Sequence, residues 1–167
     1  MHAMEALQGV SLVAATLTMG LMAGVFGLYS HAIMPGLRRT DDRTFVGAFQ
    51  AIDTAIINVW FLPAFFGALA LTALAAALHL GEGSVLPWVL AAFVLYLVSF
   101  VITIRVNVPL NNAIKAAGKP DEISDLAGVR RRFDEDRWAR MNLIRSITTT
   151  IALGCLTWAL VEYGRVT

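Results

Sequence analysis

Four apolar runs constrain this chain more than any other feature. They cover about residues 10–29, 55–80, 85–104 and 142–162. At about 1.5 Å per helical residue, each run is long enough to cross a hydrocarbon layer of about 30 Å. A helix satisfies its own backbone hydrogen bonds, which lipid cannot do for it. Only 15% of the residues are charged and 57% are hydrophobic, whereas soluble domains carry roughly a quarter charged residues. The expected fold is all-α. It is an integral membrane four-helix up-down bundle, a single transmembrane domain over residues 1–167, with a short interfacial helix between spans one and two. A formal net charge of +1 offers a nucleic acid no attracting field.

The first run has no Lys or Arg before it, which argues for a retained span over a cleaved signal peptide. Gly20, Gly24, Gly27 and His31 recur at spacings of four, three and four. This predicts a close-packing stripe with His31 on it. Met34-Pro35-Gly36-Leu37 reads as a helix stop. Asp42 is then a candidate cap for a helix whose apolar face is Phe45, Phe49, Ile52 and Ile56. Gln50 and Asp53 share another face of that helix. Pro63 predicts a kink in the second run. The third run ends at Arg105, followed by Asn107, Pro109 and Asn111, with Pro109 expected to break the helix.

Residues 113–140 form the one long polar segment. Arg130/Asp134, Arg131/Glu135 and Arg132/Asp136 stand four apart, as on a solvated helix. Trp138, Asn142 and Arg145 then follow at spacings of four and three, on one helical face. The single cysteine, Cys155, sits in an apolar run and reads as a small core residue. Every Lys and Arg except Arg165 falls in or beside the first and third connections. By the excess of Lys and Arg on cytoplasmic loops, a multi-pass protein of the cell membrane is expected, with both connections in the cytoplasm and both termini outside it.

Four polar groups therefore share one depth. They are His31; Gln50, Asp53 and Asn58; Arg105, Asn107 and Asn111; and Trp138, Asn142 and Arg145. A charge at the centre of a span costs about 2.5–3.5 kcal/mol on insertion scales. Repeated use of such groups at one level points to side chains that satisfy each other around a cavity. Arg145 and Asp53 are the expected ion pair, with snorkelling to headgroups as the alternative. The asparagines serve equally as glue between helices, Trp138 as an interface anchor, and His31 as a histidine bonded at the headgroup boundary.

At these residues the chain resembles the anthrone-oxygenase-like family of small four-span membrane proteins, most of which have no assigned function. The resemblance rests on Met34-Pro35-Gly36-Leu37, Asp41-Asp42-Arg43-Thr44-Phe45, Gln50-Ala51-Ile52, Asn107-Val108-Pro109-Leu110-Asn111, and Trp138, Asn142 and Arg145. It departs at Asp53, where asparagine is usual, and at Val59, where proline is usual; His31 is not part of the pattern. Fungal members resemble oxygenases that convert a polyketide anthrone to the anthraquinone with molecular oxygen. The resemblance implies oxidation of a lipophilic aromatic or quinol-like substrate.

On that reading His31 or Asp53 is the base, and Asn107, Asn111, Asn142 and Arg145 line an anion-stabilising pocket. Gln50, Asn58, Arg105 and Trp138 join them in binding substrate. No metal cluster, flavin or haem motif is visible, so a cofactor-free reaction is expected, with His31 left open as a lone haem ligand. The rival expectation is a non-catalytic membrane protein that binds a lipid or quinone, or serves as a carrier or small subunit. The lipid bilayer is the expected partner under both, and the oligomeric state is left open.

Overall fold

A computed structural model describes residues 2–166, which are helices and connecting turns. Helix α1 (His2–Leu28) passes through a wide π turn (Tyr29–Ile33) into α2 (Met34–Arg38). Helix α3 (Asp42–Ile56) leads through a short turn to α4 (Phe61–Leu78). Helix α5 (Leu86–Ile102) passes through a second π turn (Thr103–Asn107) into α6 (Val108–Ala116). Helix α7 (Leu126–Phe133) precedes α8 (Glu135–Val166). Four stretches are long and apolar enough to cross a membrane: Ala3–Arg38, Phe61–Leu78, Leu86–Ala116 and Leu126–Val166. The chain is a helical membrane bundle in which α1 packs on α4 and α8, and α5 packs on α4 and α8.

Neither Pro35 nor Pro109 ends its helix. A proline lacks a backbone N–H, and its ring clashes with the carbonyl four residues back. Both prolines stand two residues beyond a π turn, which widens the backbone at the clash. Met34 N–H donates to Tyr29 O across the first wide turn, and Val108 N–H donates to Thr103 O across the second. The helices therefore run on to Arg38 and Ala116. The second apolar run breaks earlier than Pro63, at the turn 57–60. There the Asn58 side-chain oxygen accepts from Trp60 N (2.9 Å) and Phe61 N (3.0 Å). Pro63 falls in the first turn of α4, where its missing donor has no helical partner to lose.

Of the glycine stripe on α1, only Gly20 comes near another helix, facing the Leu153 side chain of α8. A Cβ on Gly24 or Gly27 would meet nothing within 4 Å. The buried face is Leu12, Ala15, Met19, Met22 and Phe26, and the small residues that admit close approach are on α4: Ala64, Ala68, Thr72 and Ala75. Cys155 is partly buried against this core. A second apolar cluster fills the basic end, with Tyr29, Met34, Phe45, Phe49, Phe133 and Trp138 among its members. At the far end Gln8 donates to Leu78 O (2.8 Å) and to the Glu82 carboxylate (2.6 Å). That ties the α4–α5 turn to α1.

The polar segment is more structured than a solvated run. Helix α7 ends where Asp134 takes a left-handed conformation (φ 52°), so the three pairs expected four apart do not form. Arg130 instead bonds Glu135 (3.1 Å), Asp42 (3.1 Å) and the Thr40 carbonyl (2.9 Å). The cap of α3 is Asp41, not Asp42: its carboxylate accepts from Thr44 N at 2.9 Å. These donors hold the exposed Asp41 carboxyl below its ordinary range. Arg43 pairs with Asp121, fastening the start of α3 to the α6–α7 loop.

Candidate functional site

The site sits where α8 crosses both π turns. Its centre is Arg145, ten residues and thus about 15 Å along α8 from Glu135. The guanidinium is buried, at 5% exposure. One Nη donates to Thr103 Oγ1 (3.0 Å) in the second π turn, the other to Asn142 Oδ1 (2.6 Å). Asn142 in turn donates to Phe26 O (3.0 Å) and to Ser30 Oγ (2.7 Å) in the first π turn. The Arg145 charge also lies over the Phe26 ring, 4.4 Å from its centroid. Among the described residues no carboxylate forms an ion pair with Arg145, and its Nε, also buried, has no hydrogen-bond partner. The expected Arg145–Asp53 pair is not made.

Asp53 belongs to a second chain of bonds. Its carboxylate is 2.6 Å from Lys115 Nζ and accepts from Asn111 Nδ2 at 2.6 Å. Asn111 Oδ1 accepts from the Trp138 indole N–H at 2.6 Å. The reason is geometric. Asn111 and Lys115 stand four apart on α6 and so meet α3 together, while Arg145 is turned toward Thr103. Lys115 is the functional candidate missed in the sequence. A lysine in a polar stretch reads as solvated, and only the register of α6 against α3 shows its partner.

Between the two bonded chains lies a hollow of about 70 Å³. Its polar wall is Asp53, Thr103, Asn107, Asn111, Trp138 and Arg145; its apolar wall includes Phe26, Tyr29, Ile57 and Phe61. Asn107 donates to the Trp138 carbonyl at 3.3 Å, but its buried Oδ1 has no partner. Two residues that line the hollow thus hold unmet polar atoms, a donor on Arg145 and an acceptor on Asn107. Of the ten residues singled out from sequence, Asp53, Asn107, Asn111, Trp138 and Arg145 line it, and Asn142 supports Arg145 from behind.

The other four do not reach it. His31 is on the exposed side of the first π turn and Arg105 on the exposed side of the second. Gln50 is spent as a tether, donating to Ile114 O (2.7 Å) and Gly118 O (3.0 Å). Asn58 holds the turn before α4. Among the described residues no group of three or more His, Cys, Asp or Glu is placed to hold a metal ion.

Fold and site together define a multi-pass helical membrane protein with a polar centre inside the bundle. Residues 55–155 match the family described as anthrone oxygenase. The match covers more than half of the chain, and the chain belongs to that family. Asn107, Asn111, Trp138, Asn142 and Arg145 fall within the matched segment, whereas the Met34–Leu37 and Gln50–Ile52 text and Asp53 precede it. Comparison with curated proteins and with solved structures gave no match.

Proposed function

We propose that the protein oxidises a lipophilic aromatic bearing an acidic C–H or O–H, of the anthrone or quinol class, with molecular oxygen in the hollow beside Arg145. The carrying observation is the buried Arg145 guanidinium with no carboxylate partner and an unused Nε. A buried cation held only by neutral groups favours an anion at its open face. The substrate's anion occupies that place, and a substrate hydroxyl meets Asn107 Oδ1.

Asp53 takes the proton as the aromatic ionises. Arg145 stabilises the resulting anion, which passes one electron to O2. The two radicals combine into a carbon-bound peroxide. For an anthrone, Asp53 first returns its proton to the peroxide, giving a hydroperoxide; it then takes the second C–H proton as the O–O bond breaks, and the departing hydroxide takes up that proton to leave as water. The CH2 group and O2 become C=O and water. Lys115 holds Asp53 on its water-facing side and exchanges protons with solvent.

A volume of about 70 Å³ is below the roughly 300 Å³ of ordinary small-molecule pockets. A three-ring substrate enters by displacing the 57–60 turn, the one wall without helical bonding. The small hollow also favours a second reading, in which the polar centre serves a non-catalytic membrane protein and holds only water or a small anion. Oxygen uptake with an anthrone and quinol panel separates them. The oxygenase reading expects uptake by the wild type, abolished in Arg145→Met and Asp53→Asn while both remain folded. No uptake by the folded wild type on any member sinks it.

A further inference from the structure

A second recess lies on the other side of Tyr29, between α1–α2 and the start of α8, with a volume of about 460 Å³. We propose that it binds one anionic glycerophospholipid, with the phosphate on Arg39 and Arg140 and an acyl chain along Met34 and Leu143. The proposal does not rest on the oxygenase reading.

Three observations carry it. The first is charge: Arg38, Arg39 and Arg140 line the recess against one carboxylate, Asp136. Arg38 is already engaged by Glu135 (2.7 Å) and Asp136 (2.5 Å). Arg39 and Arg140 have no ion-pair partner among the described residues, so the recess keeps two unneutralised cations. The second is position. The recess is at the basic end of spans one and four, where the apolar helix faces give way to charge, which is where a phosphate sits in a leaflet. The third is the wall below the cations. Met34 forms its buried part, and Leu143, half exposed, continues it along α8 toward the bilayer interior. A free phosphate would satisfy the arginines and leave that wall uncovered; a phospholipid covers both.

Native mass spectrometry of the purified full chain tests this, with micelles carrying phosphatidylglycerol or phosphatidylcholine. The expected result is one phosphatidylglycerol retained under conditions that strip phosphatidylcholine. Arg39→Gln and Arg140→Gln should each weaken retention several-fold, and together on the order of thirtyfold, as expected for two surface cations facing an anionic lipid. Arg137→Gln, an exposed arginine of α8 that does not line the recess, should leave retention unchanged. Equal retention of the two lipids by the wild type overturns the proposal, and that measurement needs no variant to fold. Undiminished retention in folded Arg39→Gln/Arg140→Gln also overturns it. Displacement by millimolar inorganic phosphate would show that the recess reads a free anion and overturns the lipid assignment.

Discussion

Lys115 and Asn111 grip the two oxygens of one carboxylate, Asp53, from successive turns of α6, each at 2.6 Å. The side chain of Asp53 is 8% exposed and that of Lys115 is 32% exposed. Lys115→Met therefore leaves a buried carboxylate with only an amide donor. Breaking a fully buried pair costs 3–5 kcal/mol; with water at Lys115 the expected loss is about 1–3 kcal/mol. It is read as a lower unfolding midpoint in detergent. Adding Asp53→Asn should recover most of it, because the stranded charge is then gone.

Arg145 differs from Lys115 in carrying no ion pair among the described residues. It has no ionic partner to strand, and Met matches much of its length. Arg145→Met should lose about 1–3 kcal/mol, the cost of leaving the buried Asn142 Oδ1 without its donor. A loss clearly above that range in detergent melts would mark Arg145 as a structural keystone and weaken its assignment as an anion site.

Gly128 is a glycine for lack of room. A Cβ there would lie 1.9 Å from Asp125 Oδ2, the carboxylate that caps α7 by accepting from Gly128 N at 2.7 Å. Gly128→Ala should cost about 1–3 kcal/mol. The cost should shrink in an Asp125→Ala background, where the cap is already lost. Additive losses in the double variant would contradict this account.

Asp41 gives α3 a pH-dependent start. The Thr44 N–H and hydroxyl both donate to its carboxylate and hold its pKa below the ordinary value. A lowered folded pKa means that the stabilisation is complete above the unfolded value of about 3.9 and fades as pH falls through the folded one. The difference in melting between wild type and Asp41→Ala should be constant from neutral pH down to about 4 and vanish at lower pH. A difference that persists at pH 2 would assign the effect to something other than this cap.

The basic residues predict orientation. Arg38, Arg39 and Arg43 share one end of the bundle with the α6–α8 cluster, and Arg165 lies at the other. A phosphatase fused after Thr167 should be active outside the cytoplasm, and a fluorescent protein there should be dark. A bright fusion would reverse the assignment.

Hydropathy and helical spacing carried the sequence reading a long way. The four spans follow from run length, and the Trp138–Asn142–Arg145 face from spacings of four and three. Asn107 and Asn111 line the hollow. Misreadings came from backbone and register. Pro35 and Pro109 look like stops because nothing in sequence announces a π turn. Counting from the α1 glycines misplaces His31, because Gly24 is exposed and a Cβ on Gly24 or Gly27 would meet nothing within 4 Å. Charge complementarity pairs Arg145 with Asp53 in sequence, but it says nothing about which way α3 is rotated against α8, and Asp53 meets Lys115 instead. Lys115 and Arg130 passed for solvated residues, since long cationic side chains reach inward only once a neighbouring helix presents a carboxylate.

Each π turn holds one residue more than an ordinary helical turn would need. Deleting a single residue within 29–33 or 103–107 would tighten the wide turn into an ordinary one and leave the helix beyond it in nearly the same rotational register. Tolerance to length change is therefore lopsided. A deletion at either wide turn keeps the apolar faces in place and sets Pro35 or Pro109 against the carbonyl four residues back, whereas the same deletion in mid-helix turns an apolar face away from its neighbours by about 100°. These two places are where evolution, or an engineer, could retune the centre of the bundle while leaving its scaffold intact.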